Sequence, residues 1–362
     1  MRFREHVSAW DADRARLEAL GAVLPLVRSY LPPEFKRDFS LAMDAQPALS
    51  TDPNTGIPSF LTNYVDPAVF RILFAPNMAA TIFGERRNGN WLNDTAFFPQ
   101  VEYTGEVSSY GDFNNNGRAG VNSNWPQRQN YLYQVVKEYG ERELERAGLG
   151  RINWVSEIDA AAALALNKFE NLTYFFGVAG LQNYGLLNDP GLSASLTPAP
   201  KAYGATTWIQ NGVIKATANE IFADIQSIFY QLVQQAGGLI DAKARLVLAM
   251  SPGSSVALTA TNSFGVNVYD LLKKNFPNIR FETAVQYGEV SAANPQGVAG
   301  GNLVQLIAES VEGQSTGYCS FSEKMRAHPI VREMSAFKQK LTGGTWGAVI
   351  RQPFAIASML GV

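Results

Sequence analysis

The chain has 362 residues, 46% of them hydrophobic, and its 30 lysines and arginines nearly balance 32 aspartates and glutamates, for a net charge of −2. This length allows one large domain or several small ones, and the near-neutral charge argues against tight nonspecific binding to nucleic acid, which requires a basic face. The single cysteine, Cys319, excludes an internal disulfide and a cysteine-rich zinc site, and it fits a protein made in a reducing cytoplasm.

The N-terminal segment carries charges throughout and is interrupted by prolines. Its first residues, MRFREHVSAWDADRARLEAL, contain no signal-peptide core, and no apolar run in the chain is long enough to predict a membrane span. Prolines at short intervals forbid long helices, and they are Pro25, Pro32, Pro33, Pro47, Pro53 and Pro58. We therefore expect residues 1–60 to form an arm that lies along another surface; a floppy tail is the alternative.

A long hairpin is the next predicted feature, after a short helix and a strand within residues 60–84. Apolar and polar residues alternate over 101–107 and again over 129–136, which predicts two strands. Between them lies an asparagine- and glycine-rich stretch, SSYGDFNNNGRAGVNSNWPQRQ (Ser108–Gln129). Ordinary hairpin loops take about 2–5 residues, and a much longer one in a compact protein usually binds something.

The stretch from Asn153 to Gly177 predicts a long helix, because it is rich in alanine and leucine and has a capping residue at each end. Its apolar positions form one predicted stripe: Ile158, Ala162, Ala165, Phe169, Leu172 and Phe176. A mixed region follows, with helices predicted at 219–235, 254–260 and 268–275 and strands at 246–250, 280–285 and 303–311. The chain closes with a predicted strand over 343–360, interrupted at Pro353.

One motif in the polar stretch copies part of a calcium-binding EF-hand loop. Asp112, Asn114, Asn116 and Gly117 match the first, third, fifth and sixth positions, but the twelfth, which requires a bidentate glutamate, is Ser123. Strands rather than helices flank the motif. A polar hairpin tip therefore fits better than an ion site.

A second motif, Gly313–Gly317, matches the G-x-S-x-G pattern of serine hydrolases, with Ser315 as nucleophile. That chemistry needs a histidine base and a following helix; the only histidines are His6 and His328, and the following residues favour a helix poorly. Cys319 and His328 have nothing to orient them as a pair. We predict no enzyme activity, catalytic residue, cofactor or metal, and keep a serine hydrolase using Ser315 as an alternative.

The order of these parts resembles the major capsid proteins of tailed bacteriophages, which have the α+β Hong Kong 97-type fold. The resemblance extends from about Asp44 to the end, and the order and lengths of the parts carry it. More closely, the chain resembles the branch whose members have motifs similar to VEYTGEVSSYGDF (Val101–Phe113) near the start of the hairpin and GGTWGAVIRQPFAIA (Gly343–Ala357) in the closing strand. It implies an N-terminal arm, an extended β-hairpin loop, a peripheral domain with a long spine helix, and an axial domain.

Placed on this sequence, the resemblance implies the following boundaries. The arm is 1–60 and the extended loop is 85–136. The peripheral domain comprises 61–84, 137–199 and 316–362, with the spine helix at about 153–176 and the C-terminal strand completing it. The axial domain is 200–315.

The resemblance also implies that the chain assembles with itself into pentamers and hexamers of an icosahedral shell around a phage genome. The extended loop would contact a neighbouring copy, through Tyr110, Asp112, Phe113, Asn114, Asn115, Asn116, Arg118, Trp125 and Arg128. A portal, a separate scaffolding protein and decoration proteins are the further partners implied, with only weak contact to DNA and none to membrane. The protein would be made in the bacterial host cytoplasm and reside in the virion.

Two further points bear on this interpretation. Some shells of this type are cross-linked through a lysine in the extended loop, but no lysine occurs here from Glu85 to Val136, so we expect no such cross-link. The same resemblance extends to encapsulin nanocompartments, which enclose enzymes instead of a genome; an encapsulin-like shell is therefore an alternative, which the long arm and loop disfavour.

Overall fold

The computed structural model describes residues 76–149, 153–292 and 294–362, together with the strands Ala22–Val23 (β1) and Leu73–Phe74 (β2). The chain divides into two compact units, residues 1–75 with 145–153 and residues 76–144 with 154–362. In the first unit, β1 and β2 pair antiparallel. The rest of the predicted arm, 1–60, lies outside the described residues.

The described helices include one long helix and several short ones, and none of them is long and apolar enough to cross a membrane. In chain order they are Ala79–Phe83 (α1), Glu141–Leu149 (α2), Trp154–Phe176 (α3), Ala218–Gln235 (α4), Pro252–Val256 (α5) and Val268–Asn275 (α6). The predicted helices at 153–177, 219–235 and 268–275 are confirmed, and the predicted 254–260 is α5 followed by a 3₁₀ turn, Ala257–Thr259.

The remaining strands continue the numbering in chain order. They are Glu85–Arg87 (β3), Thr95–Phe97 (β4), Gln100–Glu106 (β5), Arg118–Asn124 (β6), Gln127–Gln129 (β7), Tyr131–Gly140 (β8), Ile209–Gln210 (β9), Val213–Ile214 (β10), Leu246–Met250 (β11), Ile279–Thr283 (β12), Leu303–Ala308 (β13), Ser310–Val311 (β14), Gln314–Ser315 (β15), Gly317–Ala327 (β16), Val331–Glu333 (β17), Ala336–Ile350 (β18) and Ile356–Leu360 (β19).

A four-stranded sheet in the order β12-β11-β13-β19 lies at the centre of the second unit. Every residue of β11 and β13 is buried, because both faces of the sheet are covered. Leu246, Leu248 and Met250 face a core that includes α4 and α6, whereas Val247 and Ala249 face a second core that includes α1 and the end of α3. Coverage on two sides explains why β11 reads as a continuous apolar run rather than an alternating one.

A second sheet has the order β17-β18-β16-β3, with β8 paired along the other edge of β18. The long helix α3 packs on this sheet near its middle, where Ala162 and Leu166 contact Tyr133 and Leu341. The strands β16 and β17 were not predicted from the sequence. Only the first part of β16 is buried. Charged residues in its exposed second part and in β17 interrupt the period-two pattern that would predict a strand.

The face of α3 that points inward differs from the predicted stripe. Ala162 is buried as expected, but Ala165 is exposed, and the other predicted positions are only partly buried. The buried residues are Ala162, Leu166, Glu170, Asn171, Thr173, Tyr174 and Phe175. The prediction was wrong because it counted apolar residues only, whereas buried polar side chains are tolerated when they are hydrogen-bonded.

The final strand also differs from expectation. The predicted strand over 343–360 is two strands, β18 and β19, separated by a 3₁₀ turn at Pro353–Ala355. They belong to different sheets: β18 pairs with β16 and β8, and β19 pairs with β13. The proline therefore marks a crossing between sheets. The end of the chain completes the central sheet rather than the sheet that carries α3.

Candidate assembly surface

The hairpin predicted from the sequence exists, but its strands pair differently. β5 pairs antiparallel with β6, from Gln100 opposite Asn124 to Glu106 opposite Arg118. The expected partner, 129–136, instead contributes most of β8, which pairs with β18. Alternation along a sequence predicts a strand but not its neighbour. β6, with the sequence RAGVNSN, lies inside the polar stretch and has no apolar face, which is why it was missed.

Both strands of this hairpin are exposed on both faces. Every residue of β5 and β6 is exposed, and Tyr103 is 85% exposed. At the tip the exposed fractions reach 98% for Val107, 92% for Tyr110 and 103% for Phe113. Sequence reasoning assigned Val101, Tyr103 and Val107 to one face of a strand but did not identify them as surface residues, because alternation normally indicates a half-buried strand. Exposed apolar side chains concentrated on one element mark an interaction surface.

The tip is braced by its own polar side chains. The Tyr110 hydroxyl donates to Asp112 Oδ1 at 2.8 Å, and Asn114 Nδ2 donates to the Ser109 carbonyl at 2.8 Å. The backbone N–H of Asn116 donates to Asn114 Oδ1 at 3.1 Å. These bonds restrain the backbone of the tip and the Tyr110 ring without support from a core.

The incomplete calcium motif does not form a closed loop. Ser123, at its twelfth position, lies in β6 opposite Val101. Gly117 has a φ of 88°, which suits a turn that joins two strands. In the part of the chain that the structure describes, no group of three or more His, Cys, Asp or Glu side chains could hold a metal ion.

The other predicted contact residues fall into two groups. Asn115 and Arg118 are exposed with the rest of the tip, whereas Trp125 is 58% exposed and lies just after β6. Arg128, in β7, is turned toward the body of the subunit: its guanidinium lies 2.7 Å from Asp189 Oδ2 and 4.8 Å from the centre of the Tyr184 ring. Arg128 therefore fixes the root of the hairpin.

Ser315 lies in a setting unlike that of a hydrolase nucleophile. It belongs to the two-residue strand β15, its hydroxyl donates to the Gly317 carbonyl at 3.0 Å, and the next element is the strand β16 rather than a helix. His328 Nε2 lies 3.1 Å from the Thr342 hydroxyl. Cys319 is fully buried, and burial raises the pKa of its thiol well above the ordinary value. Among the described residues, no hydrogen bond joins His328 to Ser315 or Cys319.

Comparison with known proteins places these features in a family context. Residues 48–361 match the model of the family described as Pa193 gp26 major capsid protein. No curated protein sequence matches the chain.

Several solved structures share the fold at low sequence identity. The capsid of Myoviridae phage XM1 superposes with a TM-score of 0.67 at 14% identity, covering 84% of this chain and 99% of that one. The capsid of a native GTA particle gives a TM-score of 0.55 at 10% identity, with 88% and 99% covered. Mycobacterium phage Bobi gives 0.53 at 11% identity, with 83% and 95% covered.

Proposed function

Because the chain belongs to the Pa193 gp26 major capsid protein family, it is a structural protein of a phage capsid shell, and we propose that its exposed hairpin binds a neighbouring copy in that shell. The fold is the α+β Hong Kong 97-type fold of phage capsids. We propose no enzymatic role.

One observation carries the proposal: the most exposed aromatic side chains of the hairpin, Tyr103, Tyr110 and Phe113, stand on an element whose strands have no buried residue. Large aromatic side chains on a pre-formed surface are the usual anchors of protein–protein contacts. The asparagines Asn114, Asn115 and Asn116 surround them with neutral hydrogen-bonding groups.

The charge of the hairpin suits repeated contact between identical subunits. From Gln100 to Asn124 the charged residues are Glu102, Glu106, Asp112 and Arg118, so the element has a net charge of only −2. A contact repeated throughout a shell accumulates any repulsion between like charges, and a nearly neutral surface keeps that repulsion small. Because the hairpin would meet a different surface on the next copy, the contact is head-to-tail and propagates into rings.

The proposed domain plan has an extended loop at 85–136, an axial domain at 200–315 and a peripheral domain at 61–84, 137–199 and 316–362, with 1–60 as the arm. Assembly into pentamers and hexamers of an icosahedral shell around DNA belongs to the same proposal. A portal, a scaffolding protein and decoration proteins would be supplied as separate chains, and synthesis would take place in the host cytoplasm.

The test separates assembly from folding. We expect Trp125→Ala and Phe113→Ala to reduce the yield of shells by at least an order of magnitude while leaving the midpoint of subunit unfolding almost unchanged, because these side chains are exposed in the subunit. Electron microscopy and sedimentation velocity measure the first quantity, and denaturant unfolding the second. Phe113→Leu, which keeps an apolar group, is the matched control and should retain part of the assembly. Equal losses of folding and assembly would contradict the role of the hairpin.

The same preparations address the shell contents. Nucleic acid inside closed particles made with the other structural proteins of the virus supports the genome-enclosing function. Packaged protein without nucleic acid would instead support a nanocompartment.

A further inference from the structure

A chain of four polar groups runs from the interior at α3, through β3, to the exposed part of β16. Glu170 and Tyr174 on α3 are 4% and 2% exposed, and Glu85 is the first residue of β3. The Tyr174 hydroxyl oxygen lies 2.7 Å from Glu170 Oε1 and 2.9 Å from Glu85 Oε1. Lys324 Nζ, on β16, donates to Glu85 Oε2 at 2.5 Å.

Two carboxylates cannot both accept a hydrogen bond from this tyrosine. The hydroxyl has one hydrogen and donates it to a single acceptor. Glu85 is ion-paired with Lys324 through its Oε2 atom, and its Oε1 atom accepts the hydrogen bond from the Tyr174 hydroxyl. Glu170 then keeps its short contact with the Tyr174 oxygen only if it carries a proton of its own and donates it.

The surroundings of Glu170 favour that proton. Burial raises the pKa of the Glu170 carboxyl to about 7, against a lowering by the Tyr174 hydrogen bond, and the Glu85 carboxylate adds to the rise while Lys324 opposes it. Tyr133 on β8 and Cys319 on β16 face the same carboxylates, and burial raises the pKa of each, so both stay neutral near pH 7.

Among the described residues, the charged and titratable side chains that act on Glu170 are Tyr174, Glu85 and Lys324. Helix α1, with the sequence AATIF, contributes none. On β18 the Thr345 hydroxyl accepts a hydrogen bond from Thr173 of α3, and it does not titrate. Glu170 is thus the group here whose charge changes near neutral pH.

Glu85 belongs to a short segment, α1 with β3, that runs from Ala79 to Arg87. β3 is held to β16 by only three residue pairs, and the N–H of Ala79 donates to Asn171 Oδ1 on α3 at 3.1 Å. A strand this short supplies few backbone hydrogen bonds, and an element held by few such bonds opens locally at a low free-energy cost.

We propose that Glu170 is a protonation switch that fastens the segment from Ala79 to Arg87 to α3. While Glu170 is protonated, the chain of donors and acceptors from Glu170 through Tyr174 and Glu85 to Lys324 is complete. When Glu170 ionises, the Glu170 and Glu85 carboxylates compete for one hydroxyl proton, and the segment opens to admit water. The switch is a property of the subunit and does not depend on what the hairpin contacts.

The raised pKa of Glu170 determines how the stability of the closed segment depends on pH. The unfolded pKa of a glutamate is about 4.3, and the folded value is raised, so Glu170 stabilises the closed segment in its protonated form. This stabilisation is complete below about pH 4.3 and is lost as the pH rises through about 7.

Amide hydrogen exchange of residues 79–87 in the full-length chain tests the switch. After correction for the intrinsic exchange rate, the opening equilibrium constant of the wild type should be about tenfold larger at pH 8 than at pH 6. Glu170→Gln stays neutral and should give the same constant at both pH values. Glu102→Gln removes an exposed carboxylate of β5 as a matched control, and it should keep the tenfold rise. A wild-type ratio near one, or a tenfold ratio retained in Glu170→Gln, would overturn the proposal.

A second variant keeps the proposal testable if Glu170→Gln does not fold. Glu85→Gln removes the competing carboxylate, so the Tyr174 proton becomes available to Glu170 and the pKa of Glu170 should fall. The rise in opening should then move to lower pH than in the wild type. A rise that stays at the wild-type pH in Glu85→Gln contradicts the shared-proton arrangement.

Discussion

At the scale of single residues, a buried ion pair holds the loop before α4 to that helix, which packs on the central sheet. Lys201 and Asp224 are 4% and 3% exposed, and Lys201 Nζ donates to Asp224 Oδ2 at 2.5 Å. Trp208 Nε1 donates to the same oxygen at 2.7 Å, and Lys201 also donates to the Ala199 carbonyl. One carboxylate on α4 therefore holds two points of the preceding loop.

Removing the cation should be costly, because it leaves Asp224 buried and only partly compensated. We expect Lys201→Met to lower the free energy of unfolding by about 3–5 kcal/mol, measured by urea denaturation. Lys243→Met, at an exposed lysine, is the matched control and should change it by less than about 0.5 kcal/mol. If the two variants lose equal stability, the ion pair has no special role.

The last glycine of the closing GGTWG motif, Gly347, is required by its backbone conformation and its close neighbours. Gly347 has a φ of 73°, and a side chain there would collide with the carbonyl oxygen of Tyr184 and the side chain of Asn183. Its N–H and that of Ala348 instead donate to Thr345 Oγ1 and to the Tyr184 carbonyl. Glycine at this position allows β18 to pass directly against the turn that follows α3.

At the scale of elements, α4 shows how a local sequence signal fixes a helix end. Thr217 and Glu220 form a capping box: the Glu220 N–H donates to Thr217 Oγ1 at 3.3 Å, and the Thr217 N–H donates to Glu220 Oε2 at 2.7 Å. The helix then buries Ile221, Ile225 and Ile228 against the central sheet. The hydrogen bonds from the backbone at Thr217 and Ala202 lower the pKa of Glu220.

Removing the cap should shorten α4 from its first turn. We expect Thr217→Ala to lower the free energy of unfolding by about 1 kcal/mol at pH 7. Because the folded pKa of Glu220 is lowered, its contribution is present above the unfolded pKa and declines as the pH falls through the folded value. Denaturant unfolding at pH 7 and pH 3 measures both effects. Glu220→Gln should abolish the part of the stability loss in acid that comes from Glu220. An unchanged acid loss in Glu220→Gln would rule out the cap as its source.

At the scale of the whole molecule, the lysine content of the hairpin bears on how the shell is held together. From Glu85 to Val136 the chain has no lysine, and the first one, Lys137, is 9% exposed and paired with Asp159. A cross-link through a lysine of the extended loop therefore has no nucleophile available. The shell would depend on many weak contacts that act together.

Without a lysine in the extended loop, assembled particles should contain no covalent link between subunits through that loop. Denaturing electrophoresis should resolve shells into a single band at the mass of the monomer, 39.5 kDa. Introducing Asn115→Lys at the exposed tip leaves that pattern unchanged unless a suitable acceptor faces it. A ladder of multimers that survives denaturant in the wild type would disprove the prediction.

The sequence by itself determined the elements whose signals are local. Capping residues and helix-favouring composition located α3, apolar spacing located α4, a continuous apolar run located β11, and alternation located β5. The order of these parts was enough to indicate the family and the capsid function.

The tertiary structure alone decided which elements meet. It gave β5 the partner β6 instead of the stretch at 129–136, divided the final strand between two sheets, and turned Glu170 and Tyr174 of α3 inward. These outcomes depend on hydrogen bonds between residues far apart in the chain, such as Tyr174 with Glu85, and a periodicity within one segment carries no information about a partner in another. The exposure of the hairpin has the same origin, because a strand is covered only where some other part of a protein packs against it.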